Sequence, residues 1–549
     1  MSTFLQDLRS AFRSLLKTPS LTLAAVLSLG LGIGANTTVF TWVQAVLLRP
    51  IPGAQDPDLI YVPLVETREG RSRSWSHPNY RDIRERARTV EIIGQDDLAM
   101  SLAVDGQAER AYGAMVSGNY FSSLGIAPAL GRLLSVEDDK TPGGHPVAVV
   151  SHAYWQRRFA GDPSIVGREI TINNTPMTIV GVTPPEFLGS FFGVATSTWV
   201  PMAMQPQMMG GSRLEARGSG WMQTLARLKP GVSQQQAQAE LSGLMSQLNQ
   251  EYVDSNEGLR LTVVRPWQAT WGAPSALAPI LGVLSVVVAM VLLIACANVA
   301  NLLLSRAVGR RREVAVRLSL GASRWRLVRQ LLTEAMLLSL VSGLVGMVMA
   351  SWTYGLLMTF APPTDMPTNF GLGLNATTFA YALALSAATG LIFGLAPAWQ
   401  ASRPNVVHAL KEEAGRGASG GRTGSRLRNT LVVSQVAVCL VLLVGATLFV
   451  RSLQAAQHVD TGFKYQDLLI ASVDLFPNGY TPDTGRQFHR RVTEAVTAMP
   501  GVESFALGRQ MPLGLGGSSS RGVSVDGYTP RPNEDVVIMY NVVGPRYFE

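Results

Sequence analysis

Residues 280–330 read ILGVLSVVVAMVLLIACANVANLLL and then SRAVGRRREVAVRLSLGASRWRLVRQ. The first part, from Ile280 to Leu304, holds no charged residue. A helix rises 1.5 Å per residue and a bilayer's hydrocarbon core is about 30 Å thick, so roughly 20 apolar residues suffice to cross it. The second part carries Arg306, Arg310, Arg311, Arg312, Arg317, Arg324, Arg326 and Arg329, and Glu313 is its only acid. Positive charge in a short loop beside an apolar run marks the cytoplasmic side of a membrane helix. This stretch therefore predicts a membrane helix that ends in a cytoplasmic loop.

Four further apolar runs lie outward from it, at Leu21 to Leu48, Leu331 to Phe360, Thr378 to Trp399 and Leu431 to Val450. The composition agrees, because only 15% of the 549 residues are charged against roughly 25% in an ordinary soluble domain. The formal charge is +8. Residues 1–20, 305–329 and 401–428 together hold +13, leaving −5 for everything else. Nucleic acid is then not needed to explain the basic balance; anionic lipid and a protein partner suffice. Charge placement puts the N-terminus inside, the segment after the first run outside and the C-terminal segment outside.

The segment from Arg49 to about Ser275 has no membrane run and mixes signals. Val147 to Val150 reads as a strand, Tyr154 to Phe159 as a short helix, Glu169 to Val182 as a strand pair turning at Asn173 and Asn174, and Gln234 to Leu248 as a helix. That is an α+β body. No GxSxG, HExxH, CxxC or GxxxxGK[ST] occurs, and His77, His145 and His152 lack metal-ligand spacing. No catalytic, cofactor-binding or metal site is expected. Cys296 and Cys439 both lie in apolar runs and read as small buried hydrophobes. Asn36, Asn298 and Asn301, in or near the spans, read as hydrogen-bond partners between helices rather than ion ligands. That weighs against an ion-coupled carrier.

Before the first run, Leu5, Leu8, Phe12, Leu15 and Leu16 alternate with Arg9, Arg13 and Lys17, the pattern of an interfacial helix. Within the run, Gly30, Gly32 and Gly34 form a small-residue face suited to close helix contact. The basic loop from Ser305 to Glu334 permits a short amphipathic helix broken at Gly321, then a second helix entering the next run past Trp325 and Leu327.

RRREVAVRLSLGAS, RWRLVRQLLTEAMLLSL and LAPAWQASRPNVVHALKE resemble the cytoplasmic segments of MacB/FtsX-type ABC transporter permeases. LTLAAVLSLGLGIGANTTVFTWVQAVLLRPIP, VSGNYFSSLGIAPALGRLLSVED and VVSHAYWQRRFAGDPSIVGREITINNTPMTIVGVTP resemble the same family's first span and periplasmic core domain. The resemblance implies an α-helical integral membrane protein of the inner membrane with a MacB-like α+β periplasmic core domain. It also implies a non-enzymatic permease subunit worked by a separate ABC ATPase, whose hydrolysis moves the periplasmic domain by mechanotransmission. A periplasmic adaptor, an outer-membrane channel, membrane lipid and a dimer of permease units are the further partners implied. Carried over by position, Glu313, Val314, Arg317, Leu318, Gly321, Ala322 and Ser323 would form or flank the helix that contacts the ATPase. An FtsX-like scaffold that activates a cell-wall enzyme is the alternative.

The expected organisation is a cytoplasmic amphipathic helix over 1–20, membrane helix one over 21–48, the core domain over 49–275 and an FtsX-like permease domain over 276–400 with its coupling loop at 305–330. A Gly-rich linker over 401–428, a fifth membrane helix over 429–450 and a partial second periplasmic domain over 451–549 follow. Asn541 to Phe548 (NVVGPRYF) parallels Met115 to Phe121 (MVSGNYF), so the pattern restarts after the linker. The sequence stops within that second copy, which predicts a fragment of a longer chain resembling the duplicated orphan permeases.

Overall fold

A computed structural model describes residues 2–48, 51–68, 70, 72–191, 193–270, 273–309, 323–359, 368–369, 375–401, 422–459, 462–463, 467–510, 519–523, 526–528 and 537–548. The helices used below are, in chain order, α1 (Ser2–Leu16), α2 (Pro19–Val43), α3 (His77–Arg86), α4 (His152–Phe159), α5 (Gln234–Glu251), α6 (Ala273–Gly309), α7 (Arg324–Thr359), α8 (Ala376–Ala401), α9 (Arg422–Gln457) and α10 (Pro482–Thr497). The strands are β1 (Ile60–Glu66), β2 (Val90–Val104), β3 (Gln107–Val116), β4 (Val147–Val150), β5 (Glu169–Ile172), β6 (Thr175–Val182), β7 (Thr198–Pro201), β8 (Gln223–Leu228) and β9 (Arg260–Val264). They fold as two compact units, one of long apolar helices and one of mixed α and β structure.

In the helical unit, four helices are long and apolar enough to cross a membrane among the described residues: Pro19–Leu48, Leu277–Ser305, Arg324–Thr353 and Val432–Gln457. The fourth expected span, α8, is a 26-residue helix whose described apolar stretch, Ala376–Ile392, is shorter. Pro19 explains why α1 and α2 are separate helices. Proline suits the first turn of a helix, where its missing N–H has no partner to lose, and breaks a helix interior. The chain turns at Lys17 and Thr18, and Thr22 Oγ1 donates 2.8 Å to the Leu15 carbonyl, fastening the end of α1 to the start of α2.

The mixed unit is built on a sheet in the order β9-β1-β8-β2-β3-β7-β4-β6, with β5 pairing both β2 and β6. Alternation along β2 and β3 divides the core by face. Ile92, Met100 and Met115 join Tyr80 and Ile83 of α3, Tyr154 of α4 and Leu241 and Met245 of α5. Ile93, Ala114 and Val116 join Tyr120, Phe121, Phe187 and Trp199 on the opposite face. The expected elements at 147–150, 154–159, 169–182 and 234–248 are present, and Asn173 and Asn174 turn the β5–β6 hairpin with positive φ of 46° and 62°.

One reading needs correction. Cys439 is exposed on α9 whereas Cys296 is buried, so only one of the two cysteines is a core residue. Residues 468–475 have no ladder partner among the described residues, and Leu469 is 93% exposed.

Two turns in the mixed unit share one geometry. Val116 pairs with Gln95 and the next amide, Ser117, donates 2.9 Å to the Gly94 carbonyl. Val543 bridges Gly508, and the next amide, Gly544, donates 2.7 Å to the Leu507 carbonyl. Tyr120 and Phe121 then meet edge to face at 5.0 Å and 87°, and Tyr547 and Phe548 at 5.2 Å and 84°.

Candidate functional site at the basic end of the membrane helices

The site is built where α1, α2 and the first turns of α7 meet. Ser323 opens α7: its carbonyl accepts from the Arg326 amide at 3.1 Å and its hydroxyl lies 3.4 Å from the same amide, satisfying a donor that a helix start leaves open. Leu327 and Val328 are buried one turn later, while Trp325 stands 71% exposed. Ser323 is thus placed at the helix start, next in sequence to the basic loop. Glu313, Val314, Arg317, Leu318, Gly321 and Ala322 lie outside the described residues.

Helix α1 packs on the base of α7 through Ala11 and Leu15, which are buried, and Ser14 Oγ donates 2.8 Å to Glu334 Oε1. Glu334 itself is buried. A buried carboxylate is costly unless it is hydrogen-bonded, so this contact holds α1 in register on α7. The sequence did carry a signal: from Ser305 to Glu334, Glu334 is the second of only two acids among eight arginines.

Above this base the helices touch backbone to backbone. A Cβ placed on Gly34 would sit 2.8 Å from the Gly346 carbonyl oxygen of α7, and one on Gly346 would sit 2.8 Å from the Gly30 oxygen. Gly32 faces Leu292 of α6 at 3.0 Å. Asn36 Nδ2 donates 2.8 Å to the Val288 carbonyl of α6 and 2.8 Å to Gly32. Further along, Phe40 stacks on Tyr381 of α8 at 3.8 Å, and Thr378 Oγ1 lies 3.2 Å from Gln44 Oε1. Ser339 of α7 and Thr389 of α8 share a 2.8 Å hydrogen bond, and Gly343, Gly390 and Gly394 let those two helices approach. The glycine face of α2 was legible in the sequence; its partner Gly346 was not. Asn36 is the expected interhelical partner, whereas Asn301 Oδ1 is buried with no hydrogen bond among the described residues.

The mixed unit holds a second polar arrangement that the sequence reading missed. Gln95 and Asp97 point from β2 to the face carrying Tyr120 and Trp199. Tyr120 Oη lies 2.7 Å from Ser190 Oγ, which donates to Gln95 Oε1. Gln95 Nε2, Asp97 Oδ2 and Trp199 Nε1 are buried without a hydrogen bond among the described residues. Burial pushes the Asp97 carboxyl up to about 7, and burial with the neighbouring Asp97 charge holds Asp96 well above the usual range. Asp139 rises to about 6 through burial, against the pull of the Ala203 and Gly118 amides it accepts from at 2.7 and 3.0 Å. Next to it, Asp138 moves the other way: burial opposes the change, but Arg132 at 2.7 Å and the Ser135 amide and hydroxyl outweigh it.

Residues 22–244 match the MacB-like periplasmic core domain and residues 285–406 match the FtsX-like permease C-terminal domain. The macrolide export ATP-binding/permease protein MacB of Salmonella paratyphi A is 27% identical over 302 residues, covering 54% of this chain and 43% of that protein. Its counterpart in Burkholderia cenocepacia is 28% identical over 308 residues, covering 55% and 41%. The chain thus matches less than half the length of these relatives. A crystal structure of the periplasmic region of MacB from Actinobacillus actinomycetemcomitans aligns with 40% of this chain and 92% of its own at 14% identity and a TM-score of 0.30.

Proposed function

The chain belongs to the MacB/FtsX-type ABC transporter permeases, and from that membership we propose that a separate ABC ATPase drives it from the basic end of its membrane helices. Glu313, Val314, Arg317, Leu318, Gly321, Ala322 and Ser323 are the proposed contact. ATP binding and hydrolysis would push on this loop, and mechanotransmission through the helices would move the periplasmic domain for export or extrusion. One observation carries the reading. The helix that leaves the loop at Ser323 is fastened to α1 by Ser14–Glu334 and to α2 by the Gly34–Gly346 contact, so displacement of its base moves all three together. The N-terminus and both basic loops are proposed to face the cytoplasm. Residues 429–548 are read as a second copy of the first span and the start of its domain, on the strength of the two matching turns.

Purification of the tagged chain from its native membrane tests the partnership. A near-stoichiometric ABC ATPase is expected, and its loss on replacing Glu313 and Arg317 by alanine would locate the contact. An ATPase retained by the double variant contradicts the assignment. Reporter fusions after residue 140 and residue 315 should report outside and inside; the reverse would sink the topology.

A further inference from the structure

The contact with α7 uses only one side of α1. At about 100° per residue, Ala11 and Leu15 share the side that packs on α7, and both are buried. Phe12 and Leu16 share a second side and are 57% and 64% exposed. Arg9, Arg13 and Lys17 recur every fourth residue, which places them in a stripe beside Phe12 and Leu16, and all three are exposed. The expected single apolar face is therefore split into a packed half and a bare half bordered by bases.

The end of α1 is also fixed in depth. Only Lys17 and Thr18 separate it from the first residue of α2, and the Thr22–Leu15 bond locks that turn. A bare apolar pair held at the start of a membrane helix and flanked by three bases has one chemically matched neighbour. Apolar side chains enter the acyl boundary while arginine and lysine reach to phosphate. A protein partner would leave unexplained why the apolar pair sits where the membrane helix begins. We infer that the outer face of α1, formed by Arg9, Phe12, Arg13 and Leu16, together with Lys17 in the turn that follows, is a binding site for anionic phospholipid headgroups. This rests on the membrane reading of α2 and is independent of the ATPase proposal.

The test uses the full chain with Cys296→Ala, Cys439→Ser and Ser10→Cys carrying an environment-sensitive fluorophore, in phosphatidylcholine nanodiscs of rising phosphatidylglycerol content. The emission should shift to the blue with phosphatidylglycerol and the shift should shrink at high salt. Each base is worth on the order of five-fold in apparent affinity. Arg9→Gln, Arg13→Gln and Lys17→Gln together should abolish the response, Arg9→Lys with Arg13→Lys should keep it, and Arg324→Gln with Arg326→Gln and Arg329→Gln should leave it intact. A response that survives the first triple variant overturns the site. So does a shift that appears only when a protein partner is added.

Discussion

The first and last membrane helices, α2 and α9, share a plan: a basic lead followed by an apolar run. They pack in opposite ways. Half of the most apolar stretch of α2 is buried inside the structure and none of that of α9 is. Proline at position 19 separates the lead from α2 and lets it fold onto α7, whereas α9 runs unbroken for 36 residues. Gly30, Gly32 and Gly34 of α2 each meet a neighbouring helix, while Gly445 of α9 has open space around it. Without water to drive apolar surfaces together, helices in lipid join where small residues let backbones meet and where polar groups bond across. Apolar content makes both long enough to cross; glycine and asparagine decide that α2 is the more deeply held.

The sharpest way to break this contrast is to put the same side chain on both helices. Gly34→Leu would drive a branched side chain into the Gly346 backbone and should cost about 3 kcal/mol or more in unfolding free energy, while Gly445→Leu should be nearly silent. Equal effects in detergent-unfolding titrations of the two variants would dissolve the distinction.

A second test separates the units by pH. A carboxyl raised on folding holds its proton to higher pH in the native state than in the unfolded one, so stability falls as pH rises from the unfolded value through the folded one. Asp97 at about 7 and Asp139 at about 6 place this loss between about pH 4 and 7. The unfolding midpoint of the mixed unit in the full chain should drop between pH 5 and pH 8. Asp97→Asn should recover on the order of 2 kcal/mol of that loss, after allowing for its partial exposure. The α2–α7 contact has no titrating group and should not follow. In the second turn, Gly508 stands where Gln95 stands in the first, which puts the uncharged Gln510 where Asp97 stands, so that turn should not contribute either.

Smaller effects sharpen the account of polar contacts. Asn36→Ala removes the bond to Val288 and should cost about 1 kcal/mol. Ser14→Ala should cost about as much by leaving Glu334 without that donor, and Glu334→Gln should restore part of it. The double-mutant cycle on Ser14 and Glu334 reads the coupling directly.

Much of this was legible from residue order alone, for physical reasons. Apolar runs of this length have few alternatives to a membrane helix, and Asn173-Asn174 between alternating strands favours a hairpin. Partner choice was not legible. Gly34 shows that a close contact exists, but nothing local says that Gly346, more than three hundred residues later, receives it. The split face of α1 was equally hidden, because Phe12 and Leu15 have similar apolarity and only packing against α7 tells them apart. Asp97 carries no local sign of burial; that depends on aromatic residues brought in from elsewhere in the chain, Tyr120, Phe187 and Trp199.

An ABC ATPase is proposed to work this permease through the loop before Ser323. The turnover of the ABC ATPase that co-purifies with the wild-type chain, measured with that chain and, after isolation, with the Glu313→Ala and Arg317→Ala double variant added in its place, tests it most directly. The account predicts that stimulation by the permease is lost in the double variant while its unfolding midpoint is unchanged. Undiminished stimulation would contradict it.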